Sequence, residues 1–167
     1  MSQNFLLTIT ACGRKEPPAI DVPPTEQPPG GDPSSGVAPG DVELTELPAM
    51  QADLVAKAGS DTVYFGTDKS DLDASSRATL AAQARWMLAN PTVKGSLEGH
   101  ADERGTREYN LALGERRANS AKNFLIANGV PAGRLTVISW GKERPAAVGS
   151  DESAWAQNRR AVTVVVR

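Results

Sequence analysis

Only one cysteine, Cys12, occurs among the 167 residues. A single thiol excludes an internal disulfide and any multi-cysteine metal centre. Histidine is equally scarce, with His100 alone. A zinc site normally draws on three or more protein ligands, so one histidine with no cysteine nearby offers too few. No G-x-S-x-G nucleophile elbow is present. No apolar run approaches the roughly 18 residues that span a bilayer as a helix. Positive charge is not in excess either. A net charge of −2 argues against a dedicated nucleic-acid binder, which is normally clearly basic.

What is present divides into two unlike parts. Gly13–Ser60 holds 3 basic and 8 acidic residues, a net of −5, whereas Asp61–Arg167 holds 15 basic and 12 acidic, a net of +3. Nine of the 12 prolines lie between Pro17 and Pro48. At the start, Phe5–Ala11 resembles the end of a secretory h-region. Ile9-Thr10-Ala11-Cys12 resembles a bacterial lipobox, in which the cysteine is the lipid anchor and the mature N-terminus. It departs from that pattern in having Ile first, and no Lys or Arg precedes the apolar run. Residues 13–43 carry proline pairs, glycines and almost no large apolar side chain, so they are expected to stay disordered as a linker. About 30 such residues at ~3.1 Å each reach on the order of 100 Å. The expected organisation is therefore 1–12 partial signal and lipobox, 13–43 linker, and 44–167 folded domain.

Within the domain, Leu44–Ala58 is expected to form a leading helix. Thr62–Phe65 is β-branched and aromatic, as a strand requires. Asp71 or Asp73 can cap a helix running to about Ala89, with Leu80, Ala84, Met87 and Leu88 on one apolar face. Asn90-Pro91 stops it. Val93–Glu98 reads as a strand weakened by Gly95. A helix after Thr106 runs to about Asn128 before the Gly129/Pro131 stop. Leu135–Trp140 and Ala161–Val166 read as strands, with one helical turn at Glu152–Gln157 between them. The order β-α-β-α-β-(α)-β implies a two-layer α/β sandwich, in the broader sense an α+β fold.

Between the second strand and the long helix lies GHADERGTREYNLALGERRANS, with four acids and four arginines in 22 residues. It reads either as a solvated surface or as a site for a ligand carrying both charges. Glycines 99 and 105 would let the loop turn tightly. On the helix, Leu111, Gly114, Ala118, Ala121 and Leu125 form the core stripe. Arg116 points away from it, and Asn110, Leu113 and Arg117 run along its shoulder, where a cleft wall would stand. Periodicity alone does not bring Asp102 to Arg117.

GHADERGTREYNLALGERRANSAKNFL, with VYFGTDKSDLD before it and SWGKERPAAVGSDESAWAQNRRAVTVVV after it, closely resembles the peptidoglycan-associated lipoproteins of the OmpA-C-terminal-like family. The resemblance covers roughly Leu44 to Arg167. It implies non-covalent binding of peptidoglycan through the diaminopimelate residue of its stem peptide, whose side chain ends in an ammonium and a carboxylate on one carbon. By the same resemblance Asp102 takes the ammonium and Arg117 the carboxylate. Such charge-assisted bonds contribute roughly 1.5–3 kcal/mol each. Thr106, Leu113 and Asp68 match contact positions. Thr67 stands where the family commonly has Phe, and Arg107 replaces its usual Pro. The resemblance further implies no cofactor, a lipid anchor at Cys12 in the outer membrane, the partner TolB, and a role in the Tol-Pal system at cell division. Rival readings are a wall binder outside that system, such as a motor stator, and a wall-cleaving enzyme.

Three motifs keep two readings. Asn158-Arg159-Arg160 is either a second basic wall or a clamp on acids and carbonyls at the sheet edge. Trp86, Trp140 and Trp155 read as core or partial core, and Tyr109 as a packed helix-start residue. His100 reads as a strand-end residue hydrogen-bonded to a loop.

Overall fold

The structure is a computed structural model, and it describes residues 39–167, with side chains from Glu46 onward. The h-region, the lipobox, Cys12 and nearly all of the expected linker lie outside the described residues. The described chain runs α1 (Pro39–Ala58), β1 (Thr62–Tyr64), α2 (Ala74–Ala89), β2 (Lys94–His100) and α3 (Arg107–Ala127). A 3₁₀ turn at Ala132–Arg134 follows, then β3 (Leu135–Gly141), α4 (Glu152–Asn158) and β4 (Arg160–Val166). The two-layer α/β arrangement is the one its apolar periodicity implies. The leading helix starts at Pro39 rather than Leu44, and proline is tolerated at a first helical position, where no N–H is required.

The four strands form one sheet in the order β1-β4-β2-β3. β4 pairs antiparallel with both β1 and β2, and β2 pairs parallel with β3. That parallel pair needs a crossover, and α3 supplies it across β2 and β3. Leu80, Met87, Leu97, Ala118, Leu125, Ala161 and Val165 meet between helices and sheet. Leu88 does not join them: it is exposed, and Gln83 and Trp86 are buried on α2 instead. Gln83 is admitted because its amide donates to the Ser60 carbonyl and accepts from the Thr163 hydroxyl. Trp86 donates its indole N–H to Asp53 on α1. A buried polar group needs such partners. Leu111, expected in the core stripe of α3, is only half-buried.

Asp73 caps α2, accepting from the backbone N–H of Ser76 at 2.7 Å. That settles the choice between Asp71 and Asp73. Asp73→Ala is expected to lower the urea midpoint of unfolding without changing its slope, as a lost cap does; an unchanged midpoint in an equilibrium titration would contradict the assignment.

Gly99 does not serve a turn. It lies inside β2, and a Cβ placed there would stand 1.8 Å from the Gly114 carbonyl oxygen of α3. A Cβ at Gly114 would in turn lie 2.5 Å from the Ser139 hydroxyl. The missing side chains let α3 lie on the ends of β2 and β3. Gly105 alone of the two glycines takes the turn conformation, with φ of 86°.

Candidate functional site

The end of β2 sets the site. Gly99 pairs with Ser139 but His100 pairs with Gly141, so Trp140 is bulged out of register. The Ala101 N–H then donates to the Gly141 carbonyl at 2.8 Å. A bulge re-aims the chain that follows it, and here that chain is the loop bearing Asp102.

Asp102 is buried. Its Oδ1 accepts from the Arg104 backbone N–H and Nε, each at 3.1 Å, and its Oδ2 accepts from Arg104 Nη2 at 2.6 Å. Arg159 Nη1 stands 3.6 Å from the same Oδ2. Burial opposes ionisation of Asp102, yet the hydrogen bonds and charge of Arg104, with the charge of Arg159, outweigh it and hold the carboxyl below its usual range. Arg104 itself stacks over Trp155 at 4.1 Å, and Trp155 donates to Glu103. Lys142 ties the same loop down through the carbonyls of Glu103 and Gly105.

Arg117 is fully buried. Its Nε donates to the Lys69 carbonyl at 2.9 Å, Nη1 to the His100 carbonyl at 2.8 Å, and Nη2 to the Gly66 carbonyl at 3.1 Å. Burial lowers its pKa to about 10, against the opposing pull of Asp102 and Asp68; it is still a cation at neutral pH. The three bonds pin the loop after β1 to the end of β2. That loop contains Asp68, the one non-glycine with a left-handed backbone among the described residues, at φ 55°. Asp tolerates this conformation better than most residues. The Tyr109 hydroxyl donates to Asp68 at 3.4 Å, so Tyr109 is an exposed partner of the loop and not a packed residue.

The structure thus brings Asp102, Arg117 and Asp68 within electrostatic reach of one another. Thr67 is exposed between Gly66 and Asp68. Thr106 is exposed and caps α3, accepting from the Tyr109 N–H. Leu113 is buried on α3 between Asn110 and Arg117. Arg116 is exposed, as its position on the helix implies. The Asn158-Arg159-Arg160 motif divides. Arg159 is a clamp, donating to the Phe65 carbonyl and, at 2.6 Å, to Glu152. Its Nη1, beside Asp102, has no hydrogen-bond partner among the described residues. Of the tryptophans, Trp86 is core, while Trp140 and Trp155 each carry a stacked arginine. A cleft of about 550 Å³ lined by Tyr64, Phe65, Gly66, Lys69, Leu72 and Gln157 flanks the same loop.

His100 is 3% exposed. Burial, then the charge of Arg160, lowers its pKa to about 4, although a hydrogen bond to the Arg144 backbone opposes this. It is neutral in the native state and becomes protonated on unfolding below pH 6.5. Its contribution to stability is complete above pH 6.5, shrinks as pH falls, and is gone below about 4. The loss amounts to at most about 3 kcal/mol. Urea titrations between pH 7 and 4 are expected to show this decline, and His100→Asn is expected to flatten it in that window.

A small α/β domain with a buried carboxylate ringed by arginines, at the junction of two loops, is a binding module in form. Residues 64–159 match the model of the OmpA family, and the chain belongs to that family. A protein named peptidoglycan-associated lipoprotein from Rhizobium meliloti (strain 1021) is 51% identical over 118 residues, which cover 71% of this chain and 66% of that protein. The protein of the same name from Mesorhizobium japonicum is 52% identical, with 71% and 70% covered. The crystal structure of the peptidoglycan-associated lipoprotein from Burkholderia pseudomallei matches with a TM-score of 0.63 at 40% identity, over 65% of this chain and 92% of that one. The C-terminal domain of Helicobacter pylori MotB shares the fold at 18% identity, with a TM-score of 0.59 over 64% of this chain and 84% of that one.

Proposed function

We propose that this domain binds peptidoglycan non-covalently through the diaminopimelate residue of the stem peptide, and tethers the wall without turnover. The observation that carries the reading is the charge arrangement at Asp102. A carboxylate held ionised among arginines suits an ammonium arriving beside a carboxylate. It does not suit a general acid, which must hold a proton near neutral pH. The names of the relatives point to the same polymer.

In this reading Asp102 receives the ligand's ammonium, exchanging it for Arg104. The carboxylate goes to the arginine side, where Arg117 supplies the buried positive charge and Arg159 Nη1 a spare donor. Arg117 also holds the loop that presents Thr67 and Asp68, while Thr106 and Leu113 complete the wall of the site. Cys12 would carry the lipid that anchors the chain in the outer membrane, with residues 13–43 spanning the gap to the wall-binding domain at 44–167. TolB would be its protein partner, within a Tol-Pal assembly acting in envelope integrity and division.

Calorimetric titration with two stem tripeptides tests the ligand. A peptide ending in diaminopimelate is expected to bind at least about tenfold tighter than the same peptide ending in lysine, which lacks the terminal carboxylate. Equal affinity would remove diaminopimelate from the proposal.

A further inference from the structure

The sheet has a second face, opposite the core. Side chains alternate along a strand, so the partners of the buried Leu97, Ala161, Thr163 and Val165 point away from the core. Register places Val162 opposite Glu98, Val164 opposite Ser96, and Val166 opposite Lys94. It also sets Ile138 beside Glu98 and Tyr64 beside Arg160. The outward face of a one-sided sheet is normally polar. Here its centre is apolar: three half-buried valines outside the core cluster, with Ile138 39% and Tyr64 52% exposed.

Cations flank this centre. Lys94 stands at one end. Arg160 stands at the other, with Arg144 stacked over Trp140 at 3.4 Å. Glu98 is the one acid on these strand positions, and it already accepts the Trp140 indole N–H at 2.8 Å. Four buried side-chain atoms lack a hydrogen-bond partner among the described residues, and Ser96 Oγ, His100 Nδ1 and Arg160 Nη1 are three of them. Ser96 and Arg160 lie on this face by register, and His100 feels the charges of Arg160 and Arg144. Buried polar groups are rarely left unpaired, but Ser96 and His100 are closed off beneath this face, so the accessible features are the apolar centre and its flanking cations.

We propose that this face docks an extended segment of a partner protein, aliphatic at its centre and carrying carboxylates towards both ends. Val162, Val164 and Ile138 receive the aliphatic part. Lys94 receives one carboxylate, and Arg160 and Arg144 the other. From Lys94 to His100 the strand runs about 20 Å, the length of a six- or seven-residue extended segment. Charge complementarity selects the acidic occupant, because the cations exceed the single, already engaged Glu98.

The full chain is tested with three labelled decapeptides: an aliphatic centre with acidic ends, the same centre with lysine ends, and a Ser/Gly centre with acidic ends. Fluorescence anisotropy is expected to show the first binding at least about tenfold tighter than the other two. NMR shifts should appear at Lys94, Val164 and Arg160. Val164→Asp and Lys94→Glu should each abolish the preference while the thermal midpoint and tripeptide binding at Asp102 stay unchanged. Equal binding of all three peptides, or indifference to both substitutions, overturns the proposal. So does a concentration-dependent dimer that Val164→Asp dissociates, since the face would then belong to a second copy of the chain.

Discussion

Asp102→Asn is expected to abolish peptidoglycan binding and to leave the domain folded. The substitution keeps the shape of the side chain, but its amide has a single acceptor oxygen, so it can keep the Arg104 contact at 2.6 Å or those at 3.1 Å and not both. It removes the charge that an arriving ammonium must find. The loss of a charge-assisted bond alone weakens binding by about tenfold or more. Arg159 is also left beside a neutral group, a cost to stability rather than to affinity that its remaining pair with Glu152 at 2.6 Å limits. Arg117→Lys is the companion variant. Lysine keeps the charge, but its donors sit on one nitrogen and cannot reproduce the guanidinium fork, whose Nε, Nη1 and Nη2 reach the separate carbonyls of Lys69, His100 and Gly66. The loop bearing Asp68 then loses its support, and binding is expected to fall with it. Pelleting with purified peptidoglycan reads the affinity, and near-ultraviolet circular dichroism checks the fold. Full binding by both variants would remove this notch from the account.

Gly99→Ala is expected to cost more stability than any other single methyl addition in the domain. The new Cβ would overlap the Gly114 carbonyl at 1.8 Å, and backbone cannot move aside as a flexible side chain can. Overpacking in a tight core costs typically 1–3 kcal/mol and occasionally more. Here α3 must lift from β2, carrying Arg117 and Asn110 with it, so the higher end is expected. A fall in the urea midpoint of about 1 M or more would follow from ordinary denaturant slopes of about 1–3 kcal/mol per molar. A Gly133→Ala variant is the control, since nothing lies within 4 Å of a Cβ there. Equal midpoints for the two would show that the helix and strand are not in the contact described.

The fold was legible from patterning because its long elements each carry one period. Apolar spacing and the caps at Asp73 and Thr106 mark α2 and α3, and β-branched runs mark β3 and β4. What patterning misread has local causes. Leu88 falls on the apolar side of an ideal helix wheel, yet the core takes Gln83 and Trp86, whose polar ends find partners on other elements. Gly99 looks like a turn residue in a loop-like string, and only the approach of α3 shows why a side chain is excluded there. The charged residues of the site were partly visible. The helical wheel placed Arg117 beside the core stripe, though its complete burial depends on three carbonyls from two distant segments. Arg104 left no periodic signal, because it reaches Asp102 across a non-helical loop only two residues away. Glu152 and Arg159 meet through the short α4 and could be paired only once that helix was placed.

Co-sedimentation of the whole chain with purified diaminopimelate-type peptidoglycan, with and without excess free diaminopimelate, tests the central claim most directly. The account predicts that the wild-type protein pellets with the wall, that free diaminopimelate releases it, and that Asp102→Asn remains in the supernatant throughout. A wild-type protein that stays in solution, or pellets equally with free diaminopimelate present, would contradict recognition of this ligand by the Asp102 notch.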